Sequence, residues 1–296
     1  MNKIVIILTA LVLMISSLAC CCTFPATINI NGGPTVEVGD LQESEESVPL
    51  GETKSVAVDV LFGAGELEMS AGDTDDLFRG TFLYNVDEWE PQVSYEDGKL
   101  VIQQGDDEES WGWPGDEGVR NEWDLKFSPE TVLDMNIQAG AGRGELDLTS
   151  LQIEKLDVDL GAGDFTLSFD EPNPAEMSRF TLDVGAASLE INGIGNASPE
   201  DMVVQGGAGE ITLDLTGDWA RSADIEVTAG FGELNLRLPD DVGVKADVTG
   251  GLANIETLGL RRSDDAYVND AYGEAELELT IAVTTGVGRV NLEVVD

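Results

Sequence analysis

The chain has 296 residues, 42% of them hydrophobic, with 58 acidic side chains against 15 basic ones and a formal charge of -43. That length and apolar content build one large or two modest packed domains. The charge excludes nucleic acid, whose phosphates demand clustered Lys and Arg, and disfavours adsorption to anionic headgroups. It leaves solubility, a multivalent cation or a basic partner as its meaning.

Residues 1–19, "MNKIVIILTALVLMISSLA", hold one Lys and then an apolar run from Ile4 to Ala19, sixteen residues long and short of the roughly 20 that span a bilayer. This pattern predicts a secretory signal. In "SSLACCC", Leu18 and Ala19 precede Cys20 much as in the lipobox of bacterial lipoproteins, which this stretch resembles, although Ser17 stands where Leu is usual. Cys21 would restore Leu18 to that place, with Cys20 as an unusual residue before the cut. Cys20 is the expected acylation site, and a diacylglycerol there anchors the chain stably to a membrane. All three cysteines lie in Cys20 to Cys22, so the body has no disulfide framework and is held by burial. Residues 20–51 read as a disordered acidic tether that holds the body off the membrane.

Residues 52–127 read as a β-rich N-terminal module, with strand-like runs at "GTFLYNV", "PQVSYE", "KLVIQQ" and "EWDLKF" and an acidic loop "GDDEESWGWPGDEG" between them. Four of the five tryptophans fall here, Trp89, Trp111, Trp113 and Trp123. Trp89 and Trp123 are expected to cap the end of a core, whereas Trp111 and Trp113, in the Gly/Pro-rich loop, are candidates for exposure and for a sugar-binding platform.

From residue 128 to 296 a glycine corner followed by an alternating strand recurs, and one earlier copy lies at Gly63. Taking Gly63, Gly142, Gly161, Gly185, Gly207, Gly230, Gly251 and Gly286 as the zero position, the gaps are 79, 19, 24, 22, 23, 21 and 35. Three residues before and four residues after each zero glycine the chain is apolar in every copy, as at Val227 and Leu234. Seven is odd, so a straight strand would aim those two columns at opposite faces, and the chain must turn at the glycines. Glycine there supplies positive φ and lets one backbone pass close over another, as corners stacked on identical corners require. A period near 22 predicts an all-β fold whose body is a β-solenoid of about 20–24-residue coils, with a Greek-key sandwich as the rival architecture.

The segments "GTFLYNVDEWEPQVSYE", "NEWDLKF", "LDVDLGAGDFTL" and "DAYVNDAYGEAELELTIAV" resemble the toast-rack family of bacterial and archaeal envelope proteins, over about Glu52 to Asp296. The resemblance implies a β-helical body with a distinct N-terminal module, kinship to adhesin-like repeats and to proteins of cell-wall-antibiotic responses, and no catalytic residues.

After five of the eight corners stands Glu66, Glu145, Asp164, Glu210 or Glu233, and in stacked coils these carboxylates would form one column, interrupted by Ser188, Asn254 and Arg289. A divalent cation could relieve their repulsion, but hard cations want six or more oxygens, and solvated carboxylates accepting corner N–H groups are the simpler reading. The chain contains no His, which excludes triads and His-metal sites, and it has no Gly-x-Ser-x-Gly or P-loop. The expectation is a protein without catalysis, metal or cofactor, anchored by lipid on the extracytoplasmic side of a membrane. It would act as an adhesin-like or structural interaction module toward an envelope protein or glycan, or else as a sensor or regulatory accessory of envelope stress.

Overall fold

The computed structural model describes residues 38–72, 75–105 and 118–295. Cys20, and with it the lipidation site, lies outside the described residues, as do Trp111 and Trp113. In chain order the strands are β1 (Gln42–Pro49), β2 (Ser55–Ala71), β3 (Asp76–Tyr84), β4 (Pro91–Glu96), β5 (Lys99–Gln104), β6 (Asn121–Phe127), β7 (Val132–Asp147), β8 (Gln152–Ser168) and β9 (Arg179–Asn192). A single helical turn, α1 (Ile194–Ala197), is followed by β10 (Asp201–Asp214), β11 (Ala223–Pro239), β12 (Gly243–Leu258), β13 (Arg261–Ser263), β14 (Ala266–Val268) and β15 (Glu278–Val295). All of them join one mixed sheet, in the order β1-β3-β6-β2-β7-β8-β9-β10-β11-β15-β12-β14-β13, with β5 also paired to β2 and β4 to β5.

Eight of these strands are long and bent in the middle. In β8, Leu156, Val158 and Leu160 are buried on the first arm and Phe165 and Leu167 on the second. Each arm keeps the period of two, but the step from Leu160 to Phe165 is odd, so the pleat changes phase across Gly161 to Asp164. Both arms thereby face one core. Parallel pairing is in register: Gly142 lies beside Gly163, Gly163 beside Ala187, Ala187 beside Gly209 and Gly209 beside Gly232, so partners are 21, 24, 22 and 23 residues apart.

The register corrects the corner assignment. Gly63, Gly161, Gly185, Gly207, Gly230, Gly286 and Gly251 share one column, but their member on β7 is Gly140, not Gly142; Gly142 sits two residues further on, beside Gly65 and Gly163. Positive φ belongs to that second column as well, at Gly232 (φ 132°) rather than Gly230. Gly230 is instead fixed by space, because a Cβ there would lie 2.4 Å from the carbonyl oxygen of Gly207. The two-residue slip arose because "AGAGRGELDL" holds three glycines at alternate positions, and Gly144 takes the place where neighbouring strands carry Leu67 and Phe165.

Two of the expected domain bounds also change, and the order of strands in space is not the order along the chain. Residues 42–49, placed in the tether, form β1 and pair with β3. The last strand in sequence is not the last in space: β15 runs parallel between β11 and β12, and the gap of 35 between Gly251 and Gly286, partners of one another, holds the end of β12, β13, β14 and the connection back to β15. The sheet also passes without interruption from β6 through β2 to β7, across the expected boundary at 127/128.

The largest buried side chains gather at the β2 end. Trp123 lies between Phe62 and Phe82, with ring centroids 5.1 and 5.2 Å away and edge-on geometry. Trp89 is 1% exposed, so both tryptophans assigned to a core cap are buried.

At Gly144 a Cβ would approach Phe165 Cδ1 to 2.6 Å, so the aromatic ring fills the volume that the missing side chain leaves. Gly144→Ala is therefore expected to destabilise by about 1–3 kcal/mol through overpacking. In a double-mutant cycle with Phe165→Leu, denaturant unfolding should show a coupling of at least about 0.5 kcal/mol, whereas additive effects would contradict this packing.

Candidate functional site

A groove runs across the strands along the zero-glycine column. Its floor is Gly140, Gly161, Gly185 and Gly207, and it encloses about 580 Å³. Because the floor residues have no side chains, the wall is made two residues earlier on each strand. There Gln138, Asp159, Asp183, Gln205 and Thr228 stand side by side in register. Adjacent strands lie about 4.8 Å apart, so the wall presents one amide, carboxylate or hydroxyl at each such step. Partial burial raises the pKa of Asp159 above the ordinary carboxylate value, and the charges of Asp183 and Asp157 raise it further.

The acidic column differs from its expected composition. In register it reads Glu66, Arg143, Asp164, Ser188, Glu210, Glu233, Arg289 and Asn254. Glu145 is not a member; it lies two residues on, between Glu68 and Thr166, a consequence of the same slip at Gly142. Arg143 stands between Glu66 and Asp164, and Arg289 approaches Glu233 to 3.6 Å. Arg143 thus separates Glu66 from Asp164 and Arg289 flanks Glu233, which lowers the repulsion at those places, whereas Glu210 and Glu233 remain side by side. Among the described residues no group of three or more His, Cys, Asp or Glu side chains is placed to hold a metal.

At the β2 end the corner row is closed by side chains. β5 pairs with the first arm of β2 as far as Leu61, and β6 pairs with the second arm from Glu66, which leaves the corner between them without a strand beside it. Gln104 and Asn121 fill that place. The Gly63 N–H donates to Gln104 Oε1 at 2.9 Å, Asn121 Nδ2 donates to the Ala64 carbonyl at 2.7 Å, and Trp123 Nε1 donates to Asn121 Oδ1 at 3.0 Å. Both side chains are buried, so these bonds satisfy corner groups that no water reaches. The sequence carried a signal for them: Gln104 and Asn121 are polar residues on the buried parity of "KLVIQQ" and "NEWDLKF".

The Asp159 carboxylate has a pH consequence. Its raised pKa means that ionisation disfavours the fold, so stability is greatest while the group is protonated and falls as pH rises through its folded value. Asp159→Asn should therefore raise the unfolding midpoint at neutral pH and lose that advantage at acid pH, where the native carboxyl is neutral. An equal effect at both pH values in a denaturant titration would contradict the assignment.

Residues 37–192 match the N-terminal domain of toast_rack, DUF2154. Among solved structures, a "putative cell adhesion protein" from Clostridium sporogenes is similar at 21% identity with a TM-score of 0.48, covering 86% of this chain and 100% of that one. A "putative adhesin" from Bacteroides fragilis is similar at 12% identity with a TM-score of 0.37, covering 86% and 97%, and a "putative adhesin" from Parabacteroides distasonis at 12% with a TM-score of 0.36, covering 87% and 98%. A comparison with curated proteins finds no match. The matched domain spans more than half of the chain and covers the closed end of the stack: the chain belongs to the toast-rack family.

Proposed function

We propose that the protein is a non-enzymatic, adhesin-like interaction module of the cell envelope, held at a membrane by lipid on Cys20, which binds an extended glycan along the corner groove. The observation that carries this reading is the wall from Gln138 to Thr228 above a glycine floor. Amides, carboxylates and hydroxyls in a straight row can accept from and donate to the hydroxyls of an extended sugar chain, and a floor without side chains lets that chain approach the backbone. The body is read as a β-solenoid with coils of 20–24 residues, one bent strand to each coil, consistent with the in-register steps between β7 and β11. Such a body gives a rigid support for a row of this kind.

Hydrolysis is not part of the proposal. Asp159 and Asp183 are lateral neighbours on the same wall. A glycosidase sets its two carboxylates on either side of the scissile bond, about 5 Å or more apart across the sugar. Anchoring at the membrane rests on the sequence around Cys20. Among the described residues no helix is long and apolar enough to cross a membrane.

The test is co-sedimentation of the full chain with insoluble cell-wall polysaccharide, with soluble reducing sugar measured in the supernatant. The expected result is saturable pelleting, reduced at least about tenfold in affinity by Asp183→Ala with Gln205→Ala at an unchanged unfolding midpoint, and no sugar released. Absence of pelleting, or pelleting that the variant retains, would remove the groove as a glycan site; release of reducing ends would replace the binding reading with an enzymatic one.

A further inference from the structure

The described sheet has two free edges on the second arms, and they match one another. At one end β1 is antiparallel to β3, β3 antiparallel to β6, and β6 parallel to the second arm of β2. Two reversals leave β1 parallel to every second arm in the stack. Carried from strand to strand, the register places Gln42 on the column of Gly65 and, at the far end, of Ala253. At that far end β14 pairs with β12 only at Lys245 and Ala246. From Gly250 to Leu258, β12 has β15 on one side and, among the described residues, no strand on the other. The two free edges therefore lie on the same columns, run in the same direction and have about the same length, the eight residues of β1 against the second arm of β12.

Their chemistry differs. Leu252 is 80% exposed and Leu258 62%, and the corner surface beside them continues through Val287 and Phe231, in register with Leu252. On the earlier strands that corner position holds Ala64, Ala141, Ala162, Ala186 and Ala208, so the apolar enlargement is confined to β11, β15 and β12, the last three of the long bent strands in space. A stack whose end is not closed by a polar cap exposes both core side chains and edge N–H and C=O groups. Between Gly250 and Arg262 the chain carries one acid, Glu256, and ends in Arg261 and Arg262. β1 carries Glu43, Glu45 and Glu46, all exposed. Two β1 edges repel one another, whereas a β1 edge and a β12 edge differ in sign.

We propose that β1 of one copy adds in parallel to the open second arm of β12 in another, so that the chain assembles head to tail. Backbone hydrogen bonds of the added strand satisfy the β12 edge, Leu252 and Leu258 are covered, and the glutamates of β1 meet a stretch, Gly250 to Arg262, that carries two arginines and one acid. The contact is heterologous, so each copy keeps one free edge of each kind and association continues beyond the dimer unless the rotation closes a ring. This holds whether or not the corner groove binds a glycan.

Sedimentation velocity of the purified full chain over a wide concentration range tests it. The wild type should grow past dimer as concentration rises. Leu252→Glu with Leu258→Glu, which charges the β12 edge, and Glu43→Lys with Glu45→Lys, which reverses β1, alter exposed side chains and should each leave the unfolding midpoint unchanged and the protein monomeric. Mixed together, the two variants should form a one-to-one dimer that does not grow, because one intact edge of each kind remains. A wild type that stays monomeric, or one that stops at a dimer while the mixed variants fail to pair, overturns the proposal. So does association that persists in the Leu252→Glu, Leu258→Glu variant.

Discussion

The structure depends on how closely one backbone passes over the next at the corner. A Cβ on Gly163 would lie 1.8 Å from the carbonyl oxygen of Gly142, and one on Gly161 would lie 2.0 Å from that of Gly140. No side chain fits in such a gap, so the strands approach there as bare backbone and the phase of the pleat can change between two arms. The phase change is what turns an alternating strand, which would otherwise have one buried face and one solvated face, into two arms that bury the same core. Hydrophobic burial then supplies the stability, since the described chain has no disulfide and most of its ion pairs lie at the surface, Arg237 with the buried Asp214 being an exception.

The same constraint shapes both ends and the groove. The zero-glycine column is a floor because it has no side chains, and the polar row from Gln138 to Thr228 is a wall for the same reason. At the β2 end the corner would leave buried N–H and C=O groups unpaired, and Gln104 and Asn121 provide them with partners. At the β12 end the second arm has no such closure among the described residues, and there the small residue after the zero glycine becomes Phe, Val or Leu. One end is sealed by aromatic packing and buried hydrogen bonds; the other keeps an open strand and apolar side chains.

Much of this architecture was legible in the sequence because the repeat is a local signal. The spacing of Val227 and Leu234 across "GFG" gave away the change of phase, and the positions of Trp89 and Trp123 marked the capped end. What the sequence could not place was anything decided by pairing. Three alternate glycines in "GAGRG" allow two registers, and only the neighbour Phe165, filling the space over Gly144, selects the one that puts Gly140 in the corner and removes Glu145 from the acidic column. The insertion of β15 between β11 and β12 leaves no local trace, since its corner reads like the others. β1 was hidden by its glutamates, which read as tether because an edge strand has little apolar alternation to show. The polar wall became visible once the columns were aligned two residues before the correct glycines.

The central claim is that close backbone approach, and not a turn's need for positive φ, demands glycine at the corner. Gly98, in the two-residue Asp97-Gly98 turn between β4 and β5, has φ 78° but its nearest heavy atom to an added Cβ is Thr53 Cγ2 at 3.8 Å. Gly161 has no positive φ, yet a Cβ there would lie 2.0 Å from the Gly140 carbonyl oxygen. Gly98→Ala should cost on the order of 1–2 kcal/mol from its left-handed conformation alone. Equilibrium denaturant unfolding of Gly98→Ala and Gly161→Ala, measured side by side, should show a loss at Gly161 at least about twice as large. Equal losses at the two positions would contradict the account.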